Sequence, residues 1–248
     1  MDTLLNRLTE KKRQLDNLGP LAPALHNSLA KWYRVALTYS SNAIEGNTLS
    51  MQETACVVDV GLSIAGKTVV EHLEAIGHAE AVDYIQKLAA TKSRDQLLVD
   101  DVLAIHRIVL QKINLSEAGN LRSMMVRISG SQVPRPNAAK VAELMHEFID
   151  WLREADGHVA QIAAQAHLKF VFIHPFIDGN GRTARLLMNL LLLQQGYPLA
   201  IIEAEQRAAY LQAIEKALRF DERTDFERLV YVAVEHSLDA YLEAARGE

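Results

Sequence analysis

Apolar residues recur every three or four positions along most of the 248-residue chain, the spacing of helices that bury one face. Glycine and proline are sparse, and pairs such as Gly19-Pro20 and Gly46-Asn47 mark the ends of these stretches. Ser50 with Glu53 three residues later forms a capping-box pattern that begins a further helix. The pattern predicts helices over 3–17, 24–45, 67–92, 101–113, 137–154, 159–173, 181–195, 203–219 and 223–245.

One short interval departs from helical spacing. In residues 125–134, Arg127, Ser129 and Gln132 interleave with apolar residues, and Gly130 lies near the middle. This alternation is typical of a β-hairpin. Because two strands alone are only marginally stable, we expect the hairpin to pack on the helices. The sequence therefore predicts an all-α fold with one short β-hairpin. No linker or repeat divides residues 1–248, which we interpret as a single domain.

Composition and charge narrow the possible partners. The formal net charge is -5, with both signs interspersed and no basic patch, which argues against a nucleic-acid partner. The longest apolar run, Leu186 to Leu193, contains Asn189 and is too short to cross a bilayer, so we expect no membrane partner. The single cysteine, Cys56, excludes an intramolecular disulfide, and residues 1–7 lack the apolar core of a signal peptide. A cytoplasmic location is predicted.

The densest chemistry lies in residues 174–185, between an apolar run and the apolar stretch that starts at Leu186. Pro175 ends the preceding helix, because the residue before a proline avoids helical geometry. His174, at that helix end, can accept a proton near neutral pH. Asp178 carries the hard oxygen ligands that Mg²⁺ prefers.

The second half of this stretch suits a polyphosphate. Gly179 and Gly181 let the backbone approach a ligand closely, and the following helix begins with unpaired N–H groups. Arg182 and Arg185 are three residues apart, so their guanidinium groups share one face of that helix. A base, a Mg²⁺ ligand and a phosphate cradle within twelve residues indicate nucleotide transfer.

Residues 174–185 read HPFIDGNGRTAR. This stretch resembles the signature of the Fic-domain family, H-P-F-x-[D/E]-G-N-[G/K]-R-x-x-R, and meets each of its fixed positions. The resemblance implies a helical core with a β-hairpin flap beside the active loop. It also implies a transferase that moves AMP from ATP to a Ser, Thr or Tyr hydroxyl of a target protein, or of itself.

The resemblance also implies a role for each site residue. His174 would be the general base, and Asp178 would hold Mg²⁺. Tyr210 matches a family tyrosine near the adenine, and Phe176 would pack beneath the loop. The nucleotide-binding residues would be Phe176, Gly179, Asn180, Gly181, Arg182, Arg185 and Tyr210. The flap would align an extended target segment by strand addition, through Val126, Arg127, Ile128, Ser129 and Gly130.

A carboxylate stands out in the predicted helix at 24–45. Glu45 lies at the C-terminal end, where negative charge opposes the helix dipole by about 0.3–1 kcal/mol. Ser41, Glu45 and Gly46 are similar to the inhibitory motif [S/T]-x-x-x-E-[G/N] of Fic proteins. The resemblance implies that Glu45 pairs with Arg185 and blocks the γ-phosphate site of ATP. Residues 1–49 would then carry the inhibitory motif, and residues 50–248 the Fic core.

Two other interpretations remain open at this point. The same site would remove AMP from a modified protein if Glu45 positioned a water molecule. Alternatively, the chain would be a non-catalytic interaction module that binds nucleotide. Val69 and Val70 lie outside one face of the helix predicted over 67–92, which favours a homodimer surface. His106 and His167, both on predicted helices, are interpreted as hydrogen-bonded core residues.

Overall fold

The computed structural model describes residues 1–128 and 130–247, and these residues fold into ten α-helices. In chain order they are α1 (Asp2–Asn17), α2 (Pro23–Glu45), α3 (Met51–Ala55), α4 (Val69–Thr91), α5 (Val99–Leu110), α6 (Val141–Glu154), α7 (Val159–Ile173), α8 (Asn180–Gln194), α9 (Arg207–Phe220) and α10 (Thr224–Arg246). The all-α prediction is confirmed. Boundaries differ where short 3₁₀ turns, Ala138–Lys140 and Ala204–Gln206, precede α6 and α9.

Side-chain caps fix the helix starts that lead into the site. The capping box at α3 is present: Glu53 N–H donates to Ser50 Oγ, and Ser50 N–H donates to the Glu53 carboxylate. Thr68 and Glu71 repeat the arrangement at the start of α4. At its other end, α2 stops at Gly46, which adopts the left-handed conformation that favours glycine.

Helix α8 occupies the centre of the molecule. It packs against α2, α4, α5 and α7, and its side chains from Arg182 to Leu192 are buried. The apolar residues of this stretch join one hydrophobic core that extends from Leu8 in α1 to Leu238 in α10. Burying α8 on several sides holds the two arginines of its first turns, Arg182 and Arg185, inside the protein. No helix among the described residues combines the length and apolar character needed to cross a membrane.

The β-hairpin predicted at 125–134 is not confirmed. Within the described residues no strand occurs, and the segment forms a loop with one tight turn, in which Ser131 N–H donates to the Ile128 carbonyl. The loop is tied to α9 instead of to a partner strand. Ser131 Oγ and Gln132 N–H both donate to the Glu215 carboxylate, at 2.6 and 2.8 Å. Ser129, one of the predicted flap residues, lies outside the described residues.

Candidate active site

His174 ends α7 in the left-handed conformation, with φ 50 and ψ 61. Such backbone geometry is uncommon for a residue other than glycine and tends to occur at functional sites. Burial, together with the nearby positive charge of Arg135, lowers the pKa of His174 to about 4. The imidazole is therefore neutral near pH 7. Its Nδ1 is buried without a hydrogen-bond partner that meets the distance and angle limits among the described residues.

Arg122 fixes the backbone around this histidine. Its buried guanidinium donates to the carbonyls of His174 at 2.8 Å, Met124 at 2.9 Å and Pro136 at 2.7 Å. Its own N–H donates to the Pro175 carbonyl. The end of α7 and both ends of the loop before α6 therefore meet on one side chain. Nothing in the sequence distinguished Arg122 from other arginines.

His106 packs against the loop between α7 and α8 and hydrogen-bonds to it. Its ring stacks on Phe176, with 3.5 Å between ring centroids. Gly119 N–H donates to Nδ1, so Nε2 carries the proton and donates to the Asp178 carbonyl at 3.0 Å. Burial lowers the pKa of His106 to about 4, which keeps this neutral tautomer. Gly179 lies against the same ring with φ 74, where a Cβ would be 3.2 Å from the imidazole.

The Asn180 side chain closes the loop on itself. Its Oδ1 accepts from Phe176 N–H and its Nδ2 donates to the Phe176 carbonyl, so these two bonds fix the orientation of the amide. The role of Asn180 in nucleotide binding stays a prediction. The first backbone bond of α8 runs from Thr183 N–H to the Gly179 carbonyl. The N–H groups of residues 180–182 thus have no partner within the helix.

Arg185, 2% exposed, is the centre of the site. Its Nη2 donates to Glu45 Oε1 at 2.7 Å and to the Ser41 carbonyl at 2.8 Å, and its Nε donates to Ser41 Oγ. Its Nη1 donates to the Tyr210 hydroxyl at 3.0 Å. Three residues of the predicted constellation, Ser41, Glu45 and Tyr210, therefore surround this guanidinium. Gly46 contributes only the helix end.

Tyr210 is fully committed to this network. Its hydroxyl accepts from Arg185 and lies 2.8 Å from Nε2 of His167, whose pKa burial lowers to about 3. The imidazole is therefore neutral, and its Nε2 shares a hydrogen bond with the Tyr210 hydroxyl whose direction depends on the tautomer. The phenol is 1% exposed. Tyr210 was predicted to lie near the adenine, and its hydroxyl oxygen accepts a hydrogen bond from Arg185.

Arg182 faces a different acid. Its Nη1 donates to Glu74 Oε1 at 2.9 Å, and its Nη2 lies 3.5 Å from Asp178 Oδ2. Asn47 Nδ2 donates to the other Glu74 oxygen. Glu74, on α4, was missed from sequence because a glutamate inside a long helix resembles a solvated one. Asp178 itself is exposed, and its Oδ1 accepts from Gly179 N–H.

These elements enclose a cavity of ≈ 240 Å³. It brings together predicted residues from four parts of the chain, including Glu45, His174, Gly181 and Arg185. Two charged residues that the sequence analysis missed also line it, Arg135 and Glu215. The full lining is Glu45, Ile128, Gly130, Ser131, Arg135, Val171, His174, Gly181, Arg185, Tyr210, Leu211, Ile214 and Glu215.

Some predicted site residues lie outside the described lining of this cavity. Of the described flap residues, Ile128 and Gly130 reach it, whereas Val126 and Arg127 do not. Phe176 is buried beneath the loop, where its ring packs on His106 and Phe170. Phe176 therefore shapes the site through packing.

Comparison with known proteins points to one family. The Fic/DOC family model matches residues 96–192. Protein adenylyltransferase Fic of Nematostella vectensis is 37% identical over 242 residues, which cover 96% of this chain and 56% of that protein. The Aedes aegypti protein of the same name is 36% identical, with 96% and 47% covered. Fic-1 from C. elegans superposes with a TM-score of 0.86 at 33% identity, covering 97% of this chain and 72% of that chain. The chain spans about half the length of the curated relatives it matches.

Proposed function

The chain belongs to the Fic/DOC family, and from this membership and the cavity geometry we propose that it is an autoinhibited protein adenylyltransferase. It would transfer AMP from ATP to a Ser, Thr or Tyr hydroxyl of a target protein, and of itself. One observation carries the proposal. The cavity holds His174, the start of α8 and Arg185, and Glu45 occupies Arg185 inside that same cavity.

The chemistry follows from the side chains around the cavity. The hydroxyl oxygen of the target attacks the α-phosphorus of ATP, the bond to the bridging oxygen breaks, and pyrophosphate leaves. His174 takes the hydroxyl proton, and its lowered pKa of about 4 keeps the ring unprotonated and ready at neutral pH. The N–H groups of residues 180–182 and the guanidinium of Arg185 would bind the phosphates.

Asp178 fits the role of a Mg²⁺ ligand. Its carboxylate lies at the start of α8, with the side chain 66% exposed and Oδ2 3.5 Å from Arg182. The part of the chain that the structure describes contains no group of three or more potential metal ligands. The remaining ligands would therefore be ATP phosphates and water, as is usual for Mg²⁺. Bound Mg²⁺ neutralises phosphate charge.

Inhibition rests on competition for one guanidinium. While Glu45 Oε1 is 2.7 Å from Arg185 Nη2, its negative charge repels a γ-phosphate that approaches the same fork. Because Glu45 and Arg185 belong to one chain, the inhibition would be intramolecular. The loop that contains Ile128 and Gly130 borders the cavity and would present the target hydroxyl, although without the predicted hairpin.

Incubation with ATP labelled on the α-phosphate tests the proposal directly. We expect little self-labelling of the wild-type chain and at least tenfold more in Glu45→Gly, because removing the carboxylate opens the γ-phosphate site. Adding His174→Ala to Glu45→Gly should abolish the labelling. Circular dichroism confirms that each variant is folded.

Three results would contradict the proposal. A folded Glu45→Gly protein that labels no faster than wild type removes the inhibitory role of Glu45. A double variant that still transfers AMP removes the role of His174. A chain that binds ATP with unchanged affinity after His174→Ala, and transfers nothing in any variant, is a nucleotide-binding interaction module.

The reverse reaction is a second candidate, favoured by the position of Glu45. Its carboxylate is 39% exposed and faces the cavity that His174 also lines. There it would accept a hydrogen bond from a water whose oxygen attacks the phosphorus, and the bond to the target oxygen would break. Glu45→Gly separates the directions, because it should abolish removal of AMP and enhance transfer.

Three further sequence-based predictions remain as proposals. We treat residues 1–248 as one domain and a cytoplasmic location as the setting. Exposed apolar side chains near the start of α4, Val69 at 73% and Val70 at 49%, favour a homodimer surface. Sedimentation equilibrium that shows only monomer at micromolar concentration would contradict the dimer.

A further inference from the structure

Arg135 is a buried cation with no carboxylate in contact among the described residues; the charge of Glu215 acts on it only from beyond ion-pair distance. It is 8% exposed, and both Nε and Nη1 are buried with no hydrogen-bond partner among the described residues. The residue lies in the loop before α6, between Pro134 and Pro136, and its side chain lines the cavity described above. It is therefore an unused donor group at the candidate active site.

The acid that faces the same cavity does not satisfy Arg135. Glu215 already accepts from Ser131 Oγ and Gln132 N–H, and in the described residues it acts on Arg135 through its charge without an ion pair within 4.0 Å. By contrast, Arg182 and Arg185 each have a carboxylate within 3 Å. An unpaired buried charge costs several kcal/mol, so a guanidinium in this position is unfavourable for stability alone.

The surroundings of Arg135 indicate what would compensate it. Its charge contributes to the lowered pKa of His174, so the guanidinium and the proposed base are neighbours. Gly181 and Arg185, which would bind the phosphates in the proposed reaction, line the same cavity as Arg135 and His174. An anion between His174 and the start of α8 would thus satisfy the donors of Arg135. In the proposed reaction, the group at that place is the phosphate that the hydroxyl attacks.

We propose that Arg135 binds an oxygen of the α-phosphate of the nucleotide in this cavity. The inference rests on the proposed function and adds a residue to it that lies outside the signature stretch. Nε and Nη1 lie on different edges of the guanidinium, and each pairs with Nη2 to form a planar fork that matches a phosphate group. Charge-assisted hydrogen bonds of this kind are strong. The contact would also stabilise the negative charge that develops on the phosphate during transfer.

Calorimetric titration with AMP and with adenosine tests the contact, because the two ligands differ by one phosphate. We expect Arg135→Met to bind AMP about tenfold more weakly than wild type, and adenosine equally well. Arg135→Lys keeps the charge and loses the fork, so its affinity for AMP should lie between those of wild type and Arg135→Met. Arg219→Met removes the same charge from the exposed surface of α9 and should bind both ligands as wild type does.

A second measurement separates ligand binding from a structural role. If Arg135 serves the ligand, the melting temperature of Arg135→Met without nucleotide should equal or exceed that of wild type. A lower melting temperature together with unchanged AMP affinity would overturn the inference and make Arg135 a packing residue. Should Arg135→Met not fold, Arg135→Lys decides, because AMP affinity equal to wild type contradicts a role for the fork.

The outcomes also distinguish this inference from the proposed function. Wild-type chain that binds AMP, with Arg135→Met binding it equally, overturns the inference alone. If neither the wild-type chain nor the Glu45→Gly variant binds AMP or ATP, the nucleotide-dependent function is wrong and the inference falls with it.

Discussion

Two arginines of α8, Arg182 and Arg185, are equally buried but are paired to acids in different ways. Arg182 meets Glu74, whose side chain is 19% exposed and whose two oxygens are both bonded, one to Arg182 and one to Asn47. Arg185 meets Glu45, which is 39% exposed and bonds through one oxygen. We call Glu74 the framework acid, because both of its oxygens are bonded within the fold. We call Glu45 the removable acid, because it is more exposed and bonds through one oxygen.

The remaining partners of each arginine sharpen this difference. Without Glu45, Arg185 keeps its bonds to Ser41 Oγ, the Ser41 carbonyl and the Tyr210 hydroxyl. Without Glu74, Arg182 keeps only the 3.5 Å approach to Asp178, and its Nε is already buried without a partner in the described part of the chain. Arg185 is therefore held ready for a ligand, whereas Arg182 depends on its acid for position.

The largest expected effect is on stability, and it should differ between the two acids. Glu74→Ala leaves a buried guanidinium without its carboxylate and should lower the free energy of unfolding by about 3 kcal/mol. Glu45→Ala should change it by less than about 1 kcal/mol. The reason is that the lost ion pair is partly offset by removing a negative charge from the C-terminal end of α2. Urea denaturation with matched m-values measures both.

The matched control is Glu74→Gln, which keeps the side-chain shape and removes the charge. Its free energy of unfolding should lie between those of wild type and Glu74→Ala, because the amide oxygen still accepts a hydrogen bond from Arg182. Equal losses for Glu45→Ala and Glu74→Ala would mean that the two pairs are equivalent, and would end the distinction between framework and removable acid.

The family resemblance implied the pair of Glu45 with Arg185, and nothing in the sequence implied the pair of Glu74 with Arg182. Glu45 is recognisable because it sits at the wrong end of a helix dipole, next to a glycine that ends the helix. Glu74 lies within α4, where its spacing matches an ordinary solvated glutamate. Its role depends on how α4 packs against α8, which is a contact between residues 108 positions apart.

The helices could be predicted from the sequence, whereas the conformation of the loop at 121–137 could not, because only the helices depend on local contacts. Helical periodicity is local, so most helix positions followed from the apolar pattern. The loop alternates polar and apolar residues as a hairpin does, but its donors bind Glu215 on α9, more than 80 residues away. Arg135 was missed for a related reason, although a charged residue between two prolines was a signal that could have singled it out.

A smaller effect is expected where α8 meets the removable acid. A Cβ at Gly181 would overlap Glu45 Oε1 and lie 3.2 Å from Arg185 Nη1. Gly181→Ala should therefore push the carboxylate away at a cost of about 1 kcal/mol in wild type. In the Glu45→Ala background the same change should be neutral or slightly stabilising, because alanine is a better helix former.

A double-mutant cycle isolates this coupling from other effects of the methyl group. The cycle combines Gly181→Ala and Glu45→Ala, with unfolding in urea as the readout. A coupling free energy near zero would show that the Glu45 carboxylate is not in contact with Gly181. The parallel cycle of Gly181→Ala with Glu74→Ala should give no coupling, since the three atoms nearest to the built Cβ belong to Glu45 and Arg185.

The smallest effect concerns what holds the removable acid in place. Arg207 Nε, at the start of α9, donates to the Ile44 carbonyl in the last turn of α2 at 2.6 Å. A cation at this end of a helix offsets the unfavourable charge of Glu45 next to it. Arg207→Met should loosen the last turn by about 0.5–1 kcal/mol and raise self-labelling two- to fivefold.

Arg228→Met, which removes an exposed arginine from α10, is the control and should leave self-labelling unchanged. The effect of Arg207→Met should also vanish in the Glu45→Gly background, because no carboxylate is left to release. If Arg207→Met still raised labelling there, Arg207 would act on the nucleotide and not through α2. Glu45 would then depend on Arg185 alone for its position, and the strength of inhibition would be set by that single ion pair.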